Sequence, residues 1–326
     1  MIRLFTTLGI LLVATWSLAQ QAPQYTMYML NPYGFNPGYA GLDNSLSITG
    51  VYRNQWVNLV GSPETQQINA HLPFYFLGGG LGIKVENDMA GASRNTSASL
   101  AYSYWLPVNK KSILSVGLEA GIVQRSLDGQ RLRTPEGTFV EGNYLGHNDN
   151  FLPFGTVSAL APTVNVGAYY QNERIDAGIS VTNLIEPQIT LEFDNQSTNI
   201  QLIRNYFLTF GLNLDLGTNW TVRPSTLIRS DLAQTEIHFS SIVQYNDNIF
   251  GGASFRGYNS NTVDAIAILA GLKLNERLTL AYSYDLTLSN LNAVSSGSHE
   301  VMLNYNLNQP IGKGLPPQII YNTRYR

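Results

Sequence analysis

The chain has 326 residues, a formal net charge of -3, and charged residues at only 13% of its positions. So small a charge excludes nucleic acid as an expected partner, and the absence of cysteine excludes disulfides and thiolate metal sites. The length allows one large domain or two small ones.

Residues 1–20, MIRLFTTLGILLVATWSLAQ, predict a secretory signal peptide. One basic residue, Arg3, precedes an apolar run, and Ser17 and Ala19 give a small-x-small cleavage site after Ala19. The run is short for a transmembrane anchor, which is the alternative. No cysteine follows it, which excludes a lipoprotein anchor, and no later segment is apolar for long enough to span a membrane as a helix. We therefore expect residues 1–19 to be removed from an exported chain.

Residues 24–41, QYTMYMLNPYGFNPGYAG, precede the first predicted strand. They are too rich in Asn, Pro, Tyr and Gly for a strand or a helix. Two Asn-Pro pairs, Asn31-Pro32 and Asn36-Pro37, lie among aromatic residues. Proline lowers the entropy cost of fixing such a coil, and aromatic rings supply surface to bury. The segment is therefore either an ordered aromatic coil or a plain linker.

Beyond residue 44 the recurring period is two, which is typical of β-strands. In SILSVGLEAGIV (residues 112–123), apolar residues alternate with small or polar ones. The same alternation runs through residues 174–181, 205–217 and 277–285. Each stretch is about ten residues long, which is enough to cross a bilayer as a tilted strand.

Two architectures accommodate such strands. A soluble β-sandwich buries its apolar face against a second sheet, but its strands average about five or six residues. A membrane barrel needs strands of about 9–11 residues, with an apolar face toward lipid and small or polar residues toward the lumen. Strand length, inward Gly, Ser and Asn, and tyrosines at strand ends favour an all-β, transmembrane, antiparallel up-and-down β-barrel.

We predict about fourteen strands, since bacterial single-chain barrels have an even number. The predicted organisation is a signal peptide (1–19), an N-terminal periplasmic or plug segment (20–44), the outer-membrane barrel (45–307) and a periplasmic C-terminal tail (308–326). The strands are expected to start near Ser45, Thr65, Gly79, Asn95, Ser112, Thr163, Arg174, Ile203, Asn219, Thr235, Asn248, Val263, Arg277 and Ser298.

The predicted connections alternate between short turns and long loops, as expected of the periplasmic and outer sides of such a barrel. The exception is a short connection at 231–234 on the long-loop side. The long connections are expected at residues 53–64, 127–162, 184–202 and 286–297.

The trio Asn-Glu-Arg occurs twice, at 172–174 and at 275–277, both times in a predicted short turn. Asparagine suits such turns because it tolerates a positive φ, and we interpret both trios as rim turns without chemistry. Outward aromatic residues at comparable depth suit a girdle at the membrane interface: Tyr104, Tyr170, Trp220, Tyr245 and Tyr305.

In a closed barrel, residues 24–41 are not needed for any strand ladder. We therefore predict that they begin on the periplasmic side and fill the lumen or rim as a plug, against the loop that holds Arg53 and Trp56. The alternative is a mobile tether. Inward charges either line a pore or form a polar plug with neighbouring Asn and Ser residues, and we favour the polar plug. These charges are Lys84, Glu86, Glu119, Asp176 and Asp215.

No arrangement of residues indicates catalysis. The four histidines are scattered without the paired spacing of a metal site, and the motifs of serine hydrolases and phosphate-binding loops are absent. An outer-membrane hydrolase could assemble residues across strands, for example Asp231 and His238, but inward polar residues are usual in a barrel lumen. We predict no enzymatic activity, no cofactor and no metal.

Several stretches together carry a family resemblance: residues 24–41, YRNQWVNLVGSPETQQINAHLPF (52–74), GLGIKVENDMAGASRNTSASLAYSY (80–104), FGGASFRGYN (250–259), and NERLTLAYSYDLTLSN with GSHEVMLNYNL within 275–307. In these the chain closely resembles the PorP/SprF family of outer-membrane proteins in the type IX secretion and gliding motility machinery of Bacteroidetes. The resemblance covers nearly the whole mature chain, and its N-terminal motifs are specific. The tail departs from it, because family members often finish on a Ser-Pro-Arg-aromatic ending and this chain ends YNTRYR.

The resemblance implies a non-enzymatic outer-membrane component that assists the secretion or surface attachment of type IX cargo such as large adhesins. The implied partners are that adhesin-like cargo, periplasmic and outer-membrane secretion components, and outer-membrane lipid. The alternative is a passive pore or a transporter of hydrophobic solutes. The resemblance offers these motif residues as interaction candidates: Tyr28, Asn31, Pro32, Asn36, Pro37, Tyr52, Arg53, Asn54, Gln55, Trp56, Asn87, Asp88, Arg94, Arg256, Tyr284, Asp285, His299 and Glu300.

Overall fold

A computed structural model describes residues 22–109, 111–140, 143–194, 196–258 and 263–309. The predicted signal peptide (1–19) and residues 310–326 of the predicted tail lie outside these ranges. Helical structure in the described ranges consists of short 3-10 turns, and none of them has the length or hydropathy of a membrane span. The turns are Tyr28–Leu30, Pro32–Gly34, Pro37–Tyr39, Tyr75–Leu77, Gly129–Arg131 and Asn290–Ala293.

β-Strands make up the rest of the regular structure. Alternating apolar and small residues favour long strands, because successive side chains of a strand point to opposite faces. In chain order the strands are β1 (Ser47–Asn54), β2 (Glu64–Phe74), β3 (Gly79–Ala90), β4 (Ser93–Asn109), β5 (Ser112–Asp128), β6 (Thr138–Val140), β7 (Asn143–Gly146), β8 (Thr156–Asn172), β9 (Ile175–Thr182), β10 (Gln188–Phe193), β11 (Gln196–Gln201), β12 (Asn205–Leu212), β13 (Leu214–Leu216), β14 (Trp220–Ser230), β15 (Thr235–Tyr245), β16 (Ile249–Arg256), β17 (Ala265–Lys273), β18 (Leu278–Thr287) and β19 (Ser298–Asn306).

Fourteen antiparallel strands close into a barrel. Pairing of β1 with β19 along Ser47–Asn54 closes the ring. β12 and β13 flank Asn213 and count as one barrel strand, because both pair with β14. The pairs β6–β7 and β10–β11 form two separate hairpins that are not part of the ring of paired strands. The predicted all-β, up-and-down barrel is confirmed.

The two faces of the barrel wall differ in the way that the alternation predicts. On β5, Ser115 and Glu119 are fully buried, whereas the intervening Val116 and Leu118 are about half exposed. Outward apolar side chains of this kind meet lipid, and inward small or polar ones face the lumen. The outer surface is therefore an apolar band suited to a bilayer.

Two outward positions show the register between β9 and β12. Ile179 is outward and pairs with Leu208, near the middle of its strand. Leu212 pairs with Ile175 at the first position of β9, and Asn213 then separates β12 from β13.

The two rims of the barrel have different connections. We call the rim with the β2–β3, β4–β5, β8–β9, β15–β16 and β17–β18 connections the turn end, and the opposite rim the loop end. The longest connections, 129–155 and 183–204, both lie at the loop end. Long loops face outward in outer-membrane barrels, so the loop end is extracellular and the turn end periplasmic. The loop end also has two short connections, 91–92 and the predicted 231–234.

All but one of the predicted strand starts lie within two residues of an observed start. The exception is β8, which begins at Thr156 and not near Thr163, so the predicted loop at 127–162 shrinks to 129–155. Pro162 favours a loop in the sequence because proline cannot donate to a strand ladder. It nevertheless lies within β8, opposite Ile122 of β5.

Both Asn-Glu-Arg trios lie at the turn end. Asn172 Oδ1 accepts hydrogen bonds from the backbone amides of Arg174 and Ile175 at 2.8 and 2.6 Å. Asn275 Oδ1 accepts from the two equivalent amides at 2.9 and 3.0 Å. Asparagine therefore stabilises these turns by side-chain hydrogen bonds to the turn backbone. The predicted positive φ is wrong at both positions.

Residues 22–44, which we call the lumenal segment, lie inside the ring of strands. The Asn36 amide donates to the Ala168 carbonyl on β8 at 3.1 Å, whereas the Thr26 backbone amide donates to Glu300 on β19 at 2.7 Å. β8 and β19 stand on nearly opposite sides of the ring. A chain that bonds to inward groups on both walls passes through the lumen.

The inward charges that the sequence predicts are mostly in the lumen. Lys84, Glu119 and Asp176 are buried there, and Glu86 is half-buried. Asp215 is exposed in the short strand β13, where it accepts a hydrogen bond from Thr221. Its predicted place in the lumen is wrong, because β13 lies at the periplasmic rim.

Candidate functional site

Glycines on the barrel wall bring the lumenal segment against strand backbone. A Cβ atom at Gly117 of β5 would lie 2.3 Å from the carbonyl carbon of Pro37, and one at Gly167 of β8 would lie 2.1 Å from Asn36 Oδ1. A larger residue at either position would displace the segment. Asn36 fixes the same place, since its Oδ1 accepts from the Gly38 amide at 2.9 Å and its amide group donates to a β8 carbonyl.

Aromatic side chains of the lumenal segment are buried in the barrel. Tyr33 is fully buried. Phe35 stacks on Phe207 of β12 with ring centroids 5.7 Å apart, and Tyr39 meets Tyr169 of β8 edge to face at 4.9 Å. Burial of Phe35 alone stabilises the segment by about 1.5–3 kcal/mol relative to exposure. These contacts hold the middle of the segment in one position.

Buried charges hold the start of the lumenal segment. Arg53 donates to Asp285 Oδ2 at 2.8 Å and to Glu300 Oε2 at 3.0 Å, and all three side chains are 1% exposed. Glu300 also accepts from the backbone amides of Thr26 and Met27 at 2.7 and 3.0 Å. The Thr26 hydroxyl donates to Asp285 at 2.8 Å. The ion pair therefore binds the backbone of the segment as well as its side chains.

Arg256 joins the same group, which we call the charge cluster: Arg53, Arg256, Asp285 and Glu300. Arg256 donates to Asp285 at 2.8 Å and to Asp264 at 2.8 Å. The closure of β1 on β19 places Arg53 directly opposite Glu300. Removing one partner would leave an uncompensated buried charge, at a cost of about 3–5 kcal/mol.

The lumenal segment begins at the loop end and finishes at the turn end. Arg229, next to the last residue of β14, donates to the carbonyls of Ala22 and Pro23 at 2.6 and 3.1 Å. At the other end, the Gly41 amide donates to His71 Nδ1 at 3.1 Å. The sequence prediction places the start of this segment on the periplasmic side, and the structure differs. The reason is that the charge cluster which binds Thr26 lies near the extracellular rim, while β1 starts at the periplasmic one.

Other motif residues also contact the lumenal segment or belong to it. The Gln55 side chain donates to Gln24 at 2.8 Å, and the Asn31 side chain donates to Gln67 of β2 at 2.9 Å. The Tyr28 hydroxyl forms a hydrogen bond of 3.1 Å with a serine of β14. Pro32 and Pro37 each begin a 3-10 turn, where their fixed φ suits the first position.

Tyr25 connects the lumenal segment to the wall of β3. Its hydroxyl donates to Glu86 Oε2 at 2.6 Å. Burial, and then the negative charge of Glu86, raise the pKa of Tyr25 well above its ordinary value. The phenol therefore remains a protonated donor at neutral pH.

A cavity of about 400 Å³ remains between the lumenal segment and the barrel wall. Strands β2 to β5 and β8 line one side of it, and Trp56 lies at its extracellular mouth. The β10–β11 hairpin folds inward beside it, with Ile189 and Leu191 buried against Val123 of β5. The lining includes the motif residue Asp88, whose carboxylate accepts from Thr65 at 2.7 Å.

Six motif residues do not face the lumen. The Tyr284 ring lies 5.1 Å from the His299 ring, and Tyr52 is 42% exposed on the neighbouring outward face of β1. Near the tip of the β3–β4 hairpin, the Arg94 guanidinium contacts the sulfur of Met89 at 2.9 Å. The outward set is Tyr52, Asn54, Asn87, Arg94, Tyr284 and His299.

Sequence reasoning missed several residues that position the lumenal segment. Thr26 lies at the centre of the charge cluster but carries no local signal. Gly117 and Gly167 are visible as inward small residues, but their partners in the segment are not. In the described ranges, no group of three or more His, Asp or Glu side chains is arranged to hold a metal ion.

A closed ring of fourteen antiparallel strands, with an apolar outer band and polar residues within, defines an outer-membrane β-barrel. A family model described as "Type IX secretion system membrane protein PorP/SprF" matches residues 17–305. The chain belongs to this family and is an outer-membrane protein of the type IX secretion system.

Comparisons with individual proteins are less informative. No curated protein matches the chain. Among solved structures, the outer membrane protein Omp33 of Acinetobacter baumannii is 9% identical, with a TM-score of 0.45, over 80% of this chain and 97% of that one. The toluene transporter TbuX of Ralstonia pickettii is 13% identical, with a TM-score of 0.46, over 86% and 92%. A Pseudomonas aeruginosa FadL homologue is 10% identical, with a TM-score of 0.40, over 80% and 89%. The family assignment depends on the sequence match, and these likenesses add nothing to it.

Proposed function

We propose that the protein assists the secretion or surface attachment of type IX cargo, such as large adhesins, as a non-enzymatic component of the outer membrane. Family membership supports a place in the secretion system. The observation that carries the proposal is the lumenal segment, which is bound at both ends inside the barrel. A barrel whose lumen is occupied in this way suits attachment better than passage of solutes.

The lumenal segment is the plug of this proposal. Thr26 and Tyr33 are fully buried, and strands on opposite sides of the ring contact the segment. Fixing a coil of this kind costs about 1–2 kcal/mol per residue in backbone entropy. The aromatic burial and the ionic contacts described above offset that cost, which favours a plug over a mobile tether.

The motif residues suggest where partners act. The charge cluster and the Asn-Pro pairs hold the plug in place. Asn87 and Arg94, at the extracellular rim, are candidates for contact with adhesin-like cargo. Tyr52, Tyr284 and His299 are candidates for contact with lipid at the outer interface, because amphipathic rings favour that depth. Periplasmic secretion components would meet the short turns at the other rim.

The proposal is tested by deleting the gene in the native host and comparing surface-exposed with released proteins. We expect at least one large surface protein to be lost from the cell surface. An unchanged set of surface and released proteins would contradict the proposal.

A passive pore or a hydrophobic-solute transporter is the alternative function. It requires a continuous passage, whereas the lumenal segment crosses the lumen from rim to rim. Conductance of the full-length protein in a planar bilayer distinguishes the two functions. An attachment barrel should pass little current, and a large steady conductance would favour the pore.

A further inference from the structure

One wall of the cavity is a regular grid of inward side chains on β3, β4 and β5. The strand register sets its rows, and successive rows are two residues, or about 6.8 Å, apart along each strand. From the loop end inward, the rows are Asp88, Asn95 and Arg125; Glu86, Ser97 and Val123; Lys84, Ser99 and Gly121; and Gly82, Ala101 and Glu119.

Glu119, at the bottom of this grid, has one carboxylate oxygen without a donor. The side chain is fully buried. Lys84 Nζ and Asn165 Nδ2 both contact Oε1, at 2.9 and 2.5 Å. Oε2 has no hydrogen-bond partner among the described residues. A buried acceptor left unpaired costs about 1–3 kcal/mol, and more when it is charged, so this site favours a ligand that brings a donor.

Ser99 repeats this feature one row higher. The residue is 6% exposed, and its hydroxyl has no hydrogen-bond partner in the described part of the chain. It borders the same cavity as Glu119. Two neighbouring buried groups therefore have unused hydrogen-bonding capacity on one wall.

Glu86 and Asp88, nearer the extracellular rim, are carboxylates without a cationic partner. Glu86 accepts from Tyr25 and Gln67 at 2.6 and 2.7 Å, and Asp88 accepts from Thr65 at 2.7 Å. No ion pair formed by the described side chains includes either carboxylate.

The arginines that border the cavity form no close ion pair with these carboxylates, and the charge of Arg125 acts on Asp88 only at longer range. Arg125, in the row of Asp88, donates to Asn95 at 2.7 Å. Arg229, on the far side of the cavity, pairs with Glu236 at 2.5 Å. Because Lys84 of β3 pairs with Glu119, Glu86 and Asp88 leave the part of this wall nearer the loop end negative.

We propose that this wall binds a lysine or arginine side chain of an extended peptide that enters from the loop end. The cation lies between Glu86 and Asp88. Other donors of the extended peptide, deeper in the cavity, face Ser99 and Glu119 Oε2. Its apolar stem lies along the aromatic floor, where Phe35 borders the cavity. The cavity volume of about 400 Å³ is within the usual range of ligand sites. This inference rests on the proposed function in one respect, namely that the peptide belongs to the secreted cargo.

Isothermal titration calorimetry on the full-length protein in detergent tests this site. The probes are N-acetyl-Gly-Lys-Gly-amide and the same peptide with norleucine, which keeps the stem and removes the charge. We expect the lysine peptide to bind at least tenfold more tightly than the norleucine peptide. Equal affinities, or no binding of the lysine peptide, would overturn the proposal. Tighter binding of spermidine than of the lysine peptide would overturn the assignment to a peptide.

The variant Glu86→Gln/Asp88→Asn removes both charges but keeps the oxygens that accept from Tyr25 and Thr65. It should bind the lysine peptide at least tenfold more weakly. The control is Glu192→Gln, which removes an exposed carboxylate from the outer side of β10. It should leave the affinity unchanged.

A second variant guards against a folding defect. Ser97→Lys adds an ammonium group beside Glu86 and should weaken peptide binding at least tenfold while the barrel stays folded. Unchanged affinity in both variants would refute the site. Gene deletion tests the proposed function, and calorimetry tests the peptide site. Cargo display can be lost on gene deletion whether or not the peptide binds, so the two failures are distinguishable.

Discussion

Replacing Gly117 with alanine should loosen the lumenal segment without unfolding the barrel. The added Cβ would lie 2.3 Å from the carbonyl carbon of Pro37. Unstrained carbon contacts need about 3.5 Å, so the segment must move by about 1.2 Å (3.5 − 2.3). The strand itself cannot yield, because β4 and β8 pair with β5 on both sides. Overpacking of this kind costs about 1–3 kcal/mol.

Hydrogen–deuterium exchange of the amides in residues 36–42 measures this cost. The amides of Tyr39 and Ala40 donate to the carbonyls of Asn36 and Pro37 at 3.0 and 3.2 Å. Exchange of such amides follows the free energy of local opening. A loss of about 1–3 kcal/mol should therefore accelerate it by a factor of about 5 to 150.

The matched control is Gly50→Ala on β1, where an added Cβ meets nothing within 4 Å. It should leave exchange in residues 36–42 unchanged. Both variants should remain folded, as shown by the gel shift between unheated and boiled protein. Wild-type exchange rates in a folded Gly117→Ala variant would refute the close packing of the segment on β5.

Three further predictions concern the lipid face, the charge cluster and the lumen. Ile179→Arg should destabilise the barrel by about 2–4 kcal/mol in urea unfolding from vesicles. Gly178→Arg should destabilise it at least as much, because a Cβ there would lie 2.7 Å from a tyrosine ring. A negligible loss of stability in Ile179→Arg would contradict the strand register. Arg53→Met should cost about 3–5 kcal/mol in the same assay, and adding Glu300→Met should recover part of it, so additive losses would argue against coupling. Removing residues 24–41 should raise the conductance in planar bilayers above that of the full-length protein, and equal conductance would argue against a plug.

The barrel could be predicted because the face of a strand is a local property of its sequence. In β9, apolar residues alternate with small or polar ones, so the inward and outward sets can be assigned without any partner strand. The strand prediction fails where a residue that is unfavourable in strands lies within a strand. Pro162 suggested a loop, yet it lies within β8, since neighbouring pairings hold the strand on both sides of it.

The charge cluster could not be predicted from residue patterns. Arg53, Arg256, Asp285 and Glu300 belong to four strands and meet because β1 closes on β19. The family resemblance singled out these residues but gave no contacts between them. The direction of the lumenal segment depends on the same cluster, and the composition of residues 24–41 contains no information about direction.

The most direct test of the account is complementation of a gene-deletion strain of the native host with protein that lacks residues 24–41. The signal peptide and all strands are retained, and the gel shift on heating verifies that the truncated barrel is folded. Cargo on the cell surface is then measured by protease shaving and mass spectrometry. We predict that the full-length gene restores surface display and the truncated gene does not, whereas normal display with the truncated protein would contradict a functional role of the lumenal segment.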